Sequence, residues 1–188
     1  MSPRARFLLG VITGIILTVV VGAAVALSGV IPMTVRDHPG PLDELGDRMF
    51  DASVTLRAPR ITSPHSADAS SLRGGFEGYR DMCVQCHGAP GVSRSEWAAA
   101  MMPQPPDLVT PDIQSRTDGQ LFYIINGGVR MTGMPGFGRV HDDDDIWDLV
   151  AFIRELHGIS PDQRAALTAA VRGDDHPRHD ETIHASPK

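Results

Sequence analysis

Two cysteines and a histidine are clustered in the short segment Cys83-Val84-Gln85-Cys86-His87. The spacing C-x-x-C-H is typical of covalent haem c attachment, in which both thiols add to haem vinyl groups and the neighbouring imidazole binds the iron. A structural zinc site needs four Cys or His ligands, and the chain has no further cysteine. A thioredoxin-like dithiol would lie near a βαβ pattern, which the sequence lacks. We therefore predict one covalent haem c, with a redox dithiol or an adventitious metal site as the alternatives.

Composition limits what else the chain can be. Its 188 residues leave room for one domain with appendages. The formal net charge is −6, from 17 basic and 23 acidic residues, and Lys188 is the only lysine. Nucleic-acid-binding proteins carry a clustered basic face. The composition therefore gives no sign of a nucleic-acid partner.

The N-terminal segment predicts an exported domain. Arg4 and Arg6 precede the apolar run Phe7–Ile31, and about 20 apolar residues cross a bilayer as a helix. The alternative is a cleaved signal peptide, since Ala24-Val25-Ala26 resembles a cleavage site. The run is longer than the 7–15 residues or so of a signal-peptide core, which favours a retained anchor. The positive-inside rule then places residues 1–6 in the cytoplasm and everything after Ile31 outside it.

Residues 32–72 are predicted to be a tether between the anchor and the haem domain. Leu42, Leu45, Met49 and Val54 recur at near-helical spacing, which indicates a short amphipathic helix. Its apolar stripe would lie on its own domain, on the membrane surface or on a partner subunit, and the first is favoured. The segment 59–71 is typical of a flexible linker.

Residues 73–159 are predicted to form an all-α domain. Asp142 to Asp145 should cap its last helix, and the glycine and glutamate of an EF-hand calcium loop are missing there. The apolar stripe of this helix should include Ile146, Leu149, Val150 and Ile153, with Trp147 and Phe152 on its flanks. The predicted elements are a short helix at 74–82, a turn at 88–91, a proline-rich non-helical stretch at 101–108, a helix from 117 to 125, a loop at 131–138 and a final helix ending at 158.

From about residue 73 to residue 158 the chain resembles class I c-type cytochromes. Gly75 and Tyr79 stand where the family's glycine and aromatic residue meet the C-terminal helix. Asp148–Ile153 resembles the family's D-L-[IV]-A-[YF]-[LI], so that Leu149 and Phe152 are the expected crossing partners. The resemblance implies a cytochrome c fold, in which short helices wrap around one covalent haem, here with an N-terminal transmembrane helix. The segments CHGAPG, PPDL, TGMPGFG and DDIWDLVAF resemble membrane-anchored monohaem cytochromes of bacterial respiratory chains.

The same resemblance suggests how the iron is held. Pro106-Asp107-Leu108 resembles the element whose proline carbonyl accepts a hydrogen bond from the iron-binding histidine, so that Pro106 should orient His87. A Met/His pair is the usual cytochrome c ligation. Met134, in a glycine- and proline-containing loop, is the predicted second ligand, and Met131 is its rival. Met101 and Met102 precede the middle helix and are expected on its wrong side.

These ligands predict a one-electron carrier rather than an enzyme, since a His/Met pair leaves no open site for a small-molecule substrate. The alternatives are a subunit of a larger membrane oxidoreductase, and a haem-based enzyme or sensor if the methionine is labile. The resemblance implies redox partners such as a quinol-oxidising complex and a terminal oxidase or reductase. It also implies a single-pass protein of the bacterial inner membrane, with the haem domain in the periplasm. Residues 75–160 carry 12 acidic and 6 basic side chains, which favours a partner with a basic docking face. Arg94 or Arg130 is a candidate partner for a haem propionate.

The C-terminal segment 160–188 is predicted to start with a short helix, because Ser160 can cap it and Pro161 suits its first position. His176, His179 and His184 follow among acidic residues. Periplasmic metal capture is one interpretation of this tail, and a disordered, solvated tail is favoured on composition.

Overall fold

The computed structural model describes residues 2–31, 40–58, 60, 63–64 and 68–173. The described part is mostly helical and contains no β-strand beyond an isolated bridge between Ala89 and Val92. Its α-helices are α1 (Pro3–Leu27), α2 (Pro41–Arg57), α3 (Ala69–Gly78), α4 (Val84–His87), α5 (Glu96–Ala99), α6 (Pro111–Gln114), α7 (Asp118–Gly127), α8 (Asp143–Glu155) and α9 (Pro161–Gly173). A π-helical turn, Tyr79–Cys83, joins α3 to α4, and 3₁₀ turns occupy Phe137–Arg139 and Leu156–Gly158. The chain divides into two compact units, Met1–Gly40 and Pro41–Lys188.

The first unit contains α1. Its N-terminus is capped by the Ser2 side chain, which accepts a hydrogen bond from the Ala5 amide at 3.3 Å. The helix has 25 residues, which gives a length of about 37 Å, against a hydrocarbon core of about 30 Å. Its mean hydropathy reaches 2.6 and none of its side chains is buried in the unit. By length and composition α1 can cross a membrane.

The second unit is built around the crossing of α3 and α8. Gly75 makes the crossing possible, because a Cβ atom at this position would meet the Asp148 carbonyl oxygen and would lie 2.6 Å from the Phe152 Cβ. Tyr79 has no exposed surface, and its ring centroid is 5.4 Å from that of Phe152. Leu149 lies against Gly78 in the same contact. The crossing predicted for these residues is confirmed.

The start of α3 differs from the prediction. The Asp68 carboxylate accepts hydrogen bonds from the amides of Ser70 and Ser71 at 2.9 and 3.0 Å, which is a strong N-cap. The helix therefore begins at Ala69, within the segment predicted to be a linker and before the expected start near Arg73.

The predictions for α7 and α8 are confirmed. Thr117 and Gln120 form a reciprocal capping box at the start of α7. Asp142 accepts the Asp145 amide at 3.0 Å at the start of α8. The predicted apolar stripe of α8 is buried, and so are both flanking aromatic residues. Trp147 stacks on Phe122 of α7 with ring centroids 4.4 Å apart, which joins the two helices.

The amphipathic helix α2 forms, but its apolar residues do not lie on one face. Val54 is 1% exposed, and on the same side Asp51 pairs with Arg116 at 2.8 Å. At about 100° per residue Val54 lies opposite Leu45, and Leu45 and Met49 are exposed. The prediction of one apolar stripe is therefore wrong, because Leu45 and Met49 lie on the exposed face of α2 and Val54 lies on the buried face. The Leu42 side chain lies outside the described residues.

The helix predicted after Ser160 is confirmed as α9, and it packs back onto the unit through Leu167 and Val171. The three histidines of the tail lie outside the described residues.

Candidate functional site

Cys83 ends the π-helical turn, and Cys86 lies within α4, which follows that turn. Both thiols are free and half-buried. Burial raises the pKa of the Cys83 thiol to about 12, with the neighbouring Cys86 thiol contributing, and burial also raises the pKa of Cys86. Redox dithiols depend on a lowered thiol pKa. An environment that raises the thiol pKa is the opposite of the one found around a redox-active dithiol. It suits thiols held in an apolar site.

His87 is held by one hydrogen bond. Its Nδ1 atom lies 2.8 Å from the Pro106 carbonyl oxygen. Because a carbonyl can only accept, Nδ1 carries the proton and Nε2 keeps its lone pair. Burial lowers the pKa of His87 despite the hydrogen bond to Pro106, which favours the neutral imidazole that binds metals. His87 is thus prepared to bind a metal through Nε2.

The loop that carries Pro106 is fixed on both sides of this residue. The Arg94 guanidinium donates to the Pro105 carbonyl. On the other side, the Gln114 side-chain amide donates to the Leu108 carbonyl at 2.7 Å. The sequence made Arg94 a candidate partner for a haem propionate. In the structure it holds Pro105, the residue before the carbonyl that accepts the His87 hydrogen bond.

The segment Cys83–Gly88, called the attachment segment below, is held by side chains that the sequence did not reveal. Tyr79 Oη donates to the Gly88 carbonyl at 2.6 Å. Ser95 donates to the Gln85 carbonyl through its amide at 2.9 Å and through its hydroxyl at 3.0 Å. A hydrogen bond from Tyr79 could have been predicted, since a buried tyrosine hydroxyl usually needs a partner. Nothing in the sequence pointed to Ser95.

Met134 and Met131 lie in very different environments. Met134 is half-buried and packs against the hydrophobic core. Its amide donates to the Thr132 hydroxyl at 3.1 Å, and its carbonyl accepts the Val129 amide at 3.2 Å. Met131 is 88% exposed and has a φ of 65°. Of the two candidate ligands, only Met134 is directed toward the core.

Glycines close the base of the methionine loop, residues 129–135. Gly128 has a φ of 67°, and a Cβ atom there would lie 2.5 Å from the Gly136 amide nitrogen. A Cβ atom at Gly136 would in turn lie 2.8 Å from the Gly127 carbonyl oxygen. The two ends of the loop therefore meet through backbone atoms alone, which only glycine permits at such distances.

Met101 also reaches the methionine loop. Its sulfur lies 3.5 Å from the position that a Cβ atom of Gly133 would take. The expectation that Met101 lies on the wrong side of the middle helix is wrong, because the chain before α6 returns to the loop that follows α7. A second thioether therefore lies near the residue before Met134.

These donors fit a haem c. Two thiols three positions apart, a histidine with a free Nε2 and a half-buried thioether are the groups that such a cofactor needs. Within the described residues, no group of three His, Cys, Asp or Glu side chains is arranged to hold a metal ion.

The comparison with protein families agrees with this donor set. Residues 70–153 match the family model described as cytochrome C oxidase, cbb3-type, subunit III. No curated protein matches the chain. The matched residues run from α3 into α8 and form an all-α cytochrome c domain, a haem- and iron-binding domain for electron transfer. With the apolar helix α1, the chain fits a membrane-anchored monohaem c-type cytochrome.

Proposed function

We propose that this protein is a one-electron carrier with one haem c bound covalently to Cys83 and Cys86, and with His87 and Met134 as the axial ligands. The observation that carries the proposal is the hydrogen bond from His87 Nδ1 to Pro106, beside the two free thiols. It fixes the imidazole so that Nε2 is available to the iron.

Each residue has a separate task. The two thiols tether the group, and the Pro106 carbonyl orients the imidazole and raises its basicity as a ligand. The half-buried Met134 thioether would be the second iron ligand and would keep small-molecule substrates from the iron. When bound, haem c supplies a one-electron iron couple whose potential a methionine ligand raises.

We place the carrier on the periplasmic face of a bacterial inner membrane. The length and apolarity of α1 support a single membrane span. Arg4 and Arg6 at its start favour a cytoplasmic N-terminus. Export also suits the cofactor, because haem c is normally attached after export.

Two measurements on the detergent-extracted native protein test this proposal. Haem should stay with the polypeptide after acid-acetone extraction, and the N-terminus should be at or near Met1. Complete release of haem b would contradict covalent attachment. A water-soluble product that begins at Leu27 would show that the apolar segment is a cleaved signal instead of an anchor.

A second candidate function is supported by α2 and by the matched family, whose description names an oxidase subunit. Leu45, Met49 and Leu56 are 53%, 64% and 84% exposed and share one face of α2. Such a face suits a fixed position within a larger membrane oxidoreductase. In the carrier role, the donor and the acceptor would be complexes such as a quinol-oxidising complex and a terminal oxidase or reductase. They would dock on residues 75–160, which carry the excess of acidic side chains.

Copurification in mild detergent separates these two roles. A subunit should copurify with an oxidoreductase in a fixed ratio, and Met49→Lys should release it whereas Thr55→Lys, also exposed on α2, should not. A free carrier should migrate alone, with both variants unchanged.

A further inference from the structure

Helix α9 lies outside the matched residues 70–153 and yet belongs to the core of the second unit. Leu167 has no exposed surface, and Val171 is 9% exposed. Both belong to the cluster that contains Val84, the residue after the first cysteine, and Tyr79. The helix therefore packs directly behind the attachment segment.

One hydrogen bond joins α9 to the residue between the two cysteines. Gln85 Nε2 donates to the Ala170 carbonyl at 2.8 Å. Ala170 is among the last four residues of α9, whose carbonyls have no partner within the helix. The Gln85 side chain thus donates to one of the terminal carbonyls of α9, while Ser95 holds the main-chain carbonyl of Gln85.

A second hydrogen bond joins α9 to the turn after His87. Arg164 Nε donates to the Pro90 carbonyl at 3.0 Å. The adjacent Gly91 has a φ of 77°, and a Cβ atom there would lie 3.2 Å from the Arg164 Cδ. Helix α9 therefore contacts the chain at residues 85 and 90, one on each side of His87.

We propose that α9 is a clamp on the attachment segment and that Gln85 and Arg164 are positioning residues for haem c. They keep the two thiols and the His87 imidazole in one fixed arrangement, which favours thioether formation and then prevents local opening on the histidine side. This inference rests on the proposed function, because it gives the attachment segment its cofactor.

The test compares matched variants of the full-length, haem-loaded protein by amide hydrogen exchange. Gln85→Met keeps the shape of the side chain and removes the donor. Loss of one such bond should raise the local opening equilibrium about fivefold, and the Gly88 amide, which donates to Val84, reports it. Arg164→Met should do the same, and Gln85→Lys, which restores a donor, should return exchange toward that of the native protein.

Two controls separate clamping from general stability. Gln104→Met removes a similar bond, from Gln104 Nε2 to the Ala99 carbonyl at 2.9 Å, and should leave Gly88 exchange unchanged. Leu167→Ala removes core packing and should accelerate exchange throughout α3 and α8. Local acceleration in the Gln85 and Arg164 variants, with α3 and α8 unchanged, supports the clamp.

Two outcomes would overturn the clamp. One is unchanged Gly88 exchange in both the Gln85→Met and the Arg164→Met proteins, and the other is the uniform acceleration seen with Leu167→Ala. Haem loading gives a further readout, since the ratio of covalent haem to polypeptide should fall in both variants and not in Gln104→Met. Failure of the proposed function looks different, because the native protein itself would then release its haem in acid-acetone.

Discussion

The attachment segment and the methionine loop are held in different ways. The attachment segment is bonded to groups far away in the chain, including Pro106 and Ala170. The methionine loop is held by its own residues, through bonds among Val129, Thr132 and Met134. Opening the attachment segment therefore breaks hydrogen bonds to distant parts of the chain, whereas opening the methionine loop breaks local hydrogen bonds together with the packing of Met134 on the core. If His87 and Met134 hold the iron as proposed, we expect ligand exchange to begin on the methionine side, where the hydrogen bonds are local.

The largest expected effect comes from removing the covalent tether. Cys83→Ala combined with Cys86→Ala should abolish covalent haem altogether, because no other thiol exists in the chain. Acid-acetone extraction of the purified protein measures this, with Met134→Ala as the control that should keep its covalent haem. Extractable haem in the Met134→Ala protein would mean that covalent attachment depends on the methionine loop as well as on the attachment segment. The difference between the two regions would then be lost.

The next effect is the loss of the methionine ligand. Met134→Ala should abolish the methionine–iron band of the ferric spectrum and admit cyanide. Met134→His should stay six-coordinate at a lower potential, because imidazole stabilises ferric iron better than a thioether does; axial ligands help to set a haem range of about 0.8 V. Potentiometric titration and absorption spectra check both.

Met131→Ala and Met101→Ala are the matched controls for that experiment. Met131 is exposed and Met101 lies beside Gly133, and both variants should keep the band. Loss of the band in either one would transfer the ligand role to that residue. An unchanged spectrum in all three alanine variants would favour the enzyme or sensor interpretation.

A smaller effect should follow from Tyr79→Phe, which removes the 2.6 Å bond to Gly88 and keeps the ring contact with Phe152. The buried Gly88 carbonyl would lose its partner, which costs about 1–3 kcal/mol. For a compact unit of about 150 residues, this corresponds to a fall of about 2–4 °C in melting temperature per kcal/mol. Tyr123→Phe is the control and should melt within about 1 °C of the native protein. Equal melting of the two variants would show that the Tyr79 bond does not stabilise the attachment segment.

The sequence revealed those parts of the site that depend on local patterns. C-x-x-C-H marked the attachment segment, and caps with apolar periodicity marked α7 and α8. Contacts over long separations left no pattern, since the bond from Gln85 to Ala170 joins an amide side chain to a main-chain oxygen 85 positions away. Periodicity also failed for α2, because the step of five residues from Met49 to Val54 turns about 140° around the helix and places Val54 opposite Leu45.

The smallest effect expected lies within the methionine loop. The Thr132 hydroxyl accepts the Met134 amide at 3.1 Å and donates to the Val129 carbonyl at 2.8 Å. Thr132→Val keeps the branched shape and removes both bonds, which together contribute about 1–2 kcal/mol to the closed loop. Because these bonds lie within the loop, the melting temperature should change little, while imidazole should displace the methionine ligand roughly 5- to 30-fold more readily.

Titration of the ferric protein with imidazole measures the change, and Thr110→Val, which removes a hydroxyl bond outside the loop, is the control. A large fall in melting temperature with unchanged imidazole binding would mean that the loop is held by tertiary structure as the attachment segment is, and the contrast between the two sides would be lost.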